Sequence, residues 1–158
     1  MADARACLTE AELVDWGRRV GREARTPLVL ALDGDLGTGK STLARAIAHG
    51  AGVEGDVPSP TFNLLFRYDL PSGAHVHHLD LYRLEREDEV WELGWDELGA
   101  DARDLVMIEW ASRAVHLLPE PRWDVVMEEA DSADRRCIAL TAVGDDAPAL
   151  PPLPGQDA

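Results

Sequence analysis

The segment Gly34-Asp35-Leu36-Gly37-Thr38-Gly39-Lys40-Ser41 carries the chemistry that is easiest to read in this chain. Two glycines with four residues between them, Gly34 and Gly39, followed at once by lysine and a hydroxyl side chain, form the P-loop pattern, and each residue type has a physical task. Glycines let the backbone curl with positive φ and turn N–H groups inward toward anionic oxygens. The following helix adds free donors and the positive end of its dipole. Lys40 would reach the β- and γ-phosphates, and the Ser41 hydroxyl would ligate Mg²⁺. At ordinary residue frequencies the bare pattern arises by chance in roughly one chain of this length in a hundred. Here an apolar run, Leu28 to Leu32, precedes it and a helical pattern follows, as the motif requires.

A phosphate-binding loop needs an acidic partner at the end of a second buried strand. Two candidates exist: Glu109, closing Leu105-Val106-Met107-Ile108, and Asp80, closing Val76-His77-His78-Leu79. Guanine nucleotides are usually read by Asn-Lys-x-Asp. Lys40 is the sole lysine and Asn63 the sole asparagine, so that reader is missing and ATP is favoured.

The elements that must position these groups follow from pattern. Thr9-Glu10-Ala11-Glu12 is a capping box, and Leu13, Trp16, Val20 and Ala24 recur at helical spacing, giving a helix over 10–24. Residues 28–32 read as a strand buried on both faces and 41–51 as a second helix. Thr61 to Leu70 and His75 to Asp80 read as strands joined at Pro71-Ser72-Gly73. Glu85 to Leu98 reads as one broken or two short helices, and Leu105 to Trp110 as another buried strand. Trp123 to Glu129 and Arg136 to Val143 frame a hairpin. The fold class expected is α/β: a single P-loop NTPase-like domain over residues 1–143, its central sheet flanked by helices, with a late β-hairpin. Residues 144–158, rich in Pro, Ala and Asp, are expected to be a disordered tail.

The chain has 158 residues and a formal charge of −15, with fifteen basic against thirty acidic side chains. Such a balance argues against direct grip on a nucleic-acid backbone and suits basic protein partners. No apolar run is long enough to span a membrane and no export signal is visible, so a cytoplasmic location is expected. Cys7 and Cys137 are too few for a disulfide framework and lack metal-type spacing.

Taken in order, residues 34–42, Ser59-Pro60-Thr61-Phe62, His78-Leu79-Asp80-Leu81-Tyr82-Arg83-Leu84 and Ile108-Glu109-Trp110 resemble the bacterial TsaE (YjeE) family from about Leu8 to Val143. Ala111 departs from the pattern, standing where that family usually has proline. The resemblance implies a slow, ATP- and Mg²⁺-dependent ATPase. It would act with TsaD and TsaB in forming threonylcarbamoyladenosine (t6A) at position 37 of tRNAs that read codons beginning with adenine, and would meet tRNA only through that complex. Carried over by position, Asp35, Leu36, Gly37, Thr38, Gly39, Lys40, Ser41 and Thr42 would hold the nucleotide. Ser41 and Glu109 would be metal ligands, Asp80 a Walker-B-like acid orienting water or the metal shell, and Thr61 a switch residue sensing the γ-phosphate. The rival readings are a small-molecule kinase and a non-catalytic, nucleotide-gated binding module.

Other residues have structural readings beside functional ones. Alternation puts His75 and His77 on one strand face and His78 on the other, which speaks against a three-histidine metal site. Trp91 and Trp95, four apart, would share a helix face that either packs or docks a partner. Trp110 either shapes the nucleotide pocket or packs. Arg135 or Arg136 either reaches a nucleotide or lies on the surface.

Overall fold

The computed structural model describes residues 2–58, 64–98 and 101–156. Seven strands form one mixed sheet: β1 (Ala4–Thr9), β2 (Leu28–Asp33), β3 (Leu65–Asp69), β4 (His75–Asp80), β5 (Leu105–Glu109), β6 (Arg122–Glu129) and β7 (Arg135–Val143). Their spatial order is β1-β7-β6-β2-β5-β4-β3. The centre is parallel, with β2 paired to β5 and β6, and β5 paired to β4. The edges are antiparallel: β3 on β4, and β7 between β6 and β1.

Two helices, α1 (Glu10–Glu23) and α2 (Lys40–Ala51), cover one face of the sheet. The capping box starts α1: Glu12 N–H donates to Thr9 Oγ1 at 3.2 Å, and Thr9 N–H donates to Glu12 Oε1 at 3.0 Å. Leu13, Trp16 and Val20 then meet Leu43, Ala44 and Ile47 of α2 and the alternate β2 residues Leu28, Leu30 and Leu32. The two helices touch through glycine. A Cβ at Gly21 would lie 2.0 Å from Ile47 O, so only the bare backbone fits there. The other β2 residues, Val29 and Ala31, join Leu79 of β4 and Val106 and Ile108 of β5 on the opposite sheet face, which is covered by a second layer carrying Val90, Trp95 and Ala114. That layer is built of 3-10 turns at Glu87–Leu93, Trp95–Glu97 and Ala111–Ala114 rather than long helices.

The α/β class, the late hairpin and most elements agree with the sequence reading, and four points correct it. First, β1 was missed. It is an edge strand of alternating exposure, and only Leu8 is buried in it. Second, Trp91 and Trp95 do not share a face: Gly94 breaks the segment in a left-handed conformation, leaving Trp91 52% exposed and Trp95 buried. Third, residues 144–156 pack against the body rather than forming a disordered tail. Leu153 is buried in the helical core, Trp16 Nε1 donates to Pro151 O at 2.9 Å, and Trp123 Nε1 donates to Pro148 O at 2.7 Å. Tryptophan N–H groups need acceptors once buried, and this segment supplies them. Fourth, Cys7 and Cys137 face one another across β1 and β7 and are joined as a disulfide. Among the described residues no helix is long and apolar enough to cross a membrane. The segment 59–63, with Thr61 and the first part of the expected strand over 61–70, lies outside the described residues.

Candidate functional site

The loop between β2 and α2 curls because three glycines take positive φ: Gly34 at 143°, Gly37 at 80° and Gly39 at 102°. Gly34 is doubly required, since a Cβ there would sit 2.3 Å from Met127 O of β6. Thr38 closes the loop on itself, its Oγ1 donating to Asp35 O at 2.8 Å. No side chain caps α2, so its first-turn N–H groups are left for something else to satisfy.

Parallel pairing of β4 and β5 sets Asp80 directly beside Glu109 at the carboxyl ends of the strands. Both carboxylates are buried, at 3% and 1% exposure. Ser41 Oγ donates to Glu109 Oε1 at 2.9 Å, and His78 Nε2 contacts Glu109 Oε2 at 2.6 Å. Asp80 Oδ1 accepts the N–H of Tyr82 at 2.9 Å. Buried carboxylates are tolerable only when their oxygens are engaged, and these are.

Lys40 points back into the loop. Its Nζ donates to Gly34 O and, at 2.8 Å, to Asp35 O, and lies 4.3 Å from the centre of the Trp110 ring. Burial pushes its pKa below the ordinary lysine value, opposed by the nearby carboxylates of Glu109, Asp33, Asp80 and Asp35. Trp110, with a left-handed backbone at φ 56°, stacks at an angle on Tyr82, ring centroids 4.9 Å apart. Arg113 lies over both rings.

Leu36, Gly37, Gly39, Lys40, Ser41, Thr42, Asp80, Tyr82, Glu109 and Trp110 line one cavity of about 330 Å³. Strand register therefore unites the loop with both acidic candidates. Trp110 takes the pocket-shaping alternative. Arg136 belongs to the site's rim, its Nε donating to Gly37 O at 3.3 Å, while Arg135 pairs with Glu12 at 3.5 Å.

Two participants escaped the sequence reading. Asp33, the last residue of β2, accepts from Ser112 N–H and Oγ at 2.9 Å each, and burial raises its pKa above the usual aspartate range. Tyr82 lines the cavity beside Trp110. Asp33 was findable as a strand-end carboxylate one residue before the P-loop, and Tyr82 stood in the family-like string His78 to Leu84 without a role of its own.

Comparison with known proteins gives the same picture. The family model described as threonylcarbamoyl adenosine biosynthesis protein TsaE matches residues 7–138. The tRNA threonylcarbamoyladenosine biosynthesis protein TsaE of Rickettsia felis is 40% identical over 114 residues, which span 72% of this chain and 65% of that one. The protein of the same name from Bacillus subtilis is 39% identical over 117 residues, 74% of this chain and 71% of its own. The crystal structure of B. subtilis YdiB superposes with a TM-score of 0.74 at 29% identity, covering 92% of this chain and 89% of that one. With the loop, the paired acidic strand ends and the sheet order already in place, this chain belongs to the TsaE family of threonylcarbamoyl adenosine biosynthesis proteins.

Proposed function

We propose that this chain binds ATP with Mg²⁺ and hydrolyses it slowly. In this reading it is the ATPase subunit needed for t6A37 modification of tRNAs reading codons that begin with adenine. It acts with TsaD and TsaB homologues in the cytoplasm and meets tRNA only through them. The observation that carries the reading is the single cavity that gathers Lys40, Ser41, Asp80 and Glu109.

The residues present fit both groups. Positive-φ glycines, uncapped α2 N–H groups and one ammonium suit a triphosphate. A hydroxyl and two carboxylates form a hard oxygen donor set, the kind Mg²⁺ takes together with phosphate oxygens and water. When bound, Mg²⁺ supplies charge neutralisation on those oxygens. Ser41 and Glu109 hold that ion, and the hydrogen bond between them already keeps both donors pointed at one place. Asp80, fixed by the Tyr82 N–H, orients water or the metal shell. Lys40 exchanges the loop carbonyls for phosphate oxygens, and Thr61 senses the γ-phosphate. A second cavity of about 210 Å³ shares Gly37, Gly39 and Thr42 with the first and is bounded by Leu13, Ala133 and Arg136, giving the base a place beside the loop.

Phosphoryl transfer to water asks for positioning and charge neutralisation more than covalent chemistry, so this donor set suffices for a slow reaction. The charge of −15 fits a subunit that leaves tRNA to its partners. Reconstitution tests the proposal: the full chain, TsaD and TsaB homologues, tRNA, an activated threonylcarbamoyl donor and ATP·Mg²⁺ should sustain t6A formation with release of free phosphate. Formation that continues at the same rate without this chain, or transfer of the phosphate to a small acceptor, would refute it.

A further inference from the structure

At the opposite end of β4 from Asp80 lies a second cluster. His75 and His77 stand two residues apart on β4, so both imidazoles project from one sheet face, with ring centroids 6.0 Å apart. Pairing of Val76 with Leu105 brings Asp104, the residue before β5, alongside them. The Asp104 carboxylate is fixed by the His75 backbone N–H, which donates to Oδ1 at 2.9 Å. Its Oδ2 then lies 2.9 Å from His77 Nε2, and its Oδ1 lies 3.4 Å from His75 Nδ1. One ligand atom from each of the three residues falls within 4.8 Å of the others.

The 2.9 and 3.4 Å contacts, made by different Asp104 oxygens, are near the ligand spacing that a metal imposes, and the set as a whole, within 4.8 Å, draws together on an ion. Zinc–nitrogen and zinc–oxygen bonds of about 2.0–2.2 Å place tetrahedral ligands roughly 3.3 Å apart. Imidazole nitrogens select d-block cations over Mg²⁺ or Ca²⁺. The surroundings also fit. Asp104 and His77 are 5% and 10% exposed, whereas His75 is 30% exposed and leaves a way in for ion and water. Asp69 Oδ1 sits 3.3 Å from His75 Nε2, the outer carboxylate that orients a ligating histidine. Arg103, the nearest basic side chain in sequence, is held by Asp101 at 3.0 Å and by Ser72 O at 2.7 Å.

We propose that His75, His77 and Asp104 form a binding site for one divalent d-block cation of the zinc class, with water completing the shell. The ion replaces the His77–Asp104 contact and ties the start of β4 to the entry of β5. Its effect is on stability, at the end of the sheet remote from the P-loop, and it does not depend on the function proposed above.

The test uses the untagged full chain, stripped with chelator and titrated with Co²⁺ and then Zn²⁺. One equivalent of Co²⁺ should give visible d–d absorption that Zn²⁺ abolishes, and Zn²⁺ should raise the Tm by about 5 °C. Asp104→Asn keeps an acceptor for the backbone but loses the anionic ligand. His75→Ala keeps the backbone bond and loses one imidazole. Each should weaken the metal at least about 100-fold. Glu109→Gln should leave Co²⁺ binding intact, which separates this site from the nucleotide cavity. No saturable Co²⁺ binding, equal affinity in wild type and His75→Ala, or loss of binding in Glu109→Gln would overturn the proposal.

Discussion

Ser41 and Glu109, 68 positions apart, are joined by a 2.9 Å hydrogen bond from Ser41 Oγ to Glu109 Oε1. One comes from the start of α2 and the other from the end of β5, so the bond forms only if β2 and β5 pair in the observed register. The proposed metal ligands are thus preset by the sheet.

If Ser41 and Glu109 hold Mg²⁺ while Asp80 acts beside them, Glu109→Ala should raise the Mg²⁺ concentration for half-maximal ATP hydrolysis by at least about tenfold. Asp80→Ala should mainly lower kcat. Hydrolysis measured across a Mg²⁺ series separates the two. Equal shifts in both variants would show the ligand assignment to be wrong.

Lys40→Met should cut hydrolysis by about 100-fold or more, as loss of a stabilising charge does, while the chain stays folded. Stability should rise at neutral pH. Burial holds the Lys40 pKa below 10.5, so the charged form costs the folded state. That cost is full below the lowered folded value and disappears as pH rises through it toward 10.5. The Tm advantage of Lys40→Met over wild type should therefore be steady near pH 7 and shrink in strong base. An advantage that grows with pH would contradict the sign.

His78 and Glu109 form a pair with side chains 1% and 2% exposed. His78→Leu removes the partner and should cost about 3 kcal/mol in urea unfolding without Mg²⁺. His78→Gln, which can return a donor to Glu109 Oε2, should recover part of that loss. Identical losses in the two variants would mean that the contact contributes nothing beyond shape.

Truncation after Asp146 should destabilise the chain by about 3 kcal/mol, from the lost burial of Leu153 and the Trp16 and Trp123 hydrogen bonds. The Tm should fall by roughly 8 °C. An unchanged melting curve would mean that the segment does not pack in solution.

What could be read from sequence was what local spacing encodes. The P-loop, the capping box at Thr9 and Glu12, and the apolar runs ending in Asp80 and Glu109 each lie within a few residues, and all were legible. Pairings between distant segments were not. Nothing local says that Asp104 meets His77, that Cys7 faces Cys137, or that Trp110 covers Lys40. Composition misled at the C-terminus, where a Pro- and Ala-rich stretch offers few apolar side chains. Its backbone carbonyls nevertheless satisfy two tryptophans, and Leu153 fills the core. The four-residue spacing of Trp91 and Trp95 failed because Gly94 interrupts the turn between them.

Lys40 carries the chain's one ε-amine, pinned between its own loop and an indole face. An acylating reagent therefore has a single side-chain target, and the lowered basicity enlarges the nucleophilic fraction of that target. Intact-mass spectrometry can then follow whether the loop is shielded or open by counting one acyl increment beyond that of the terminal amine, without any engineered label.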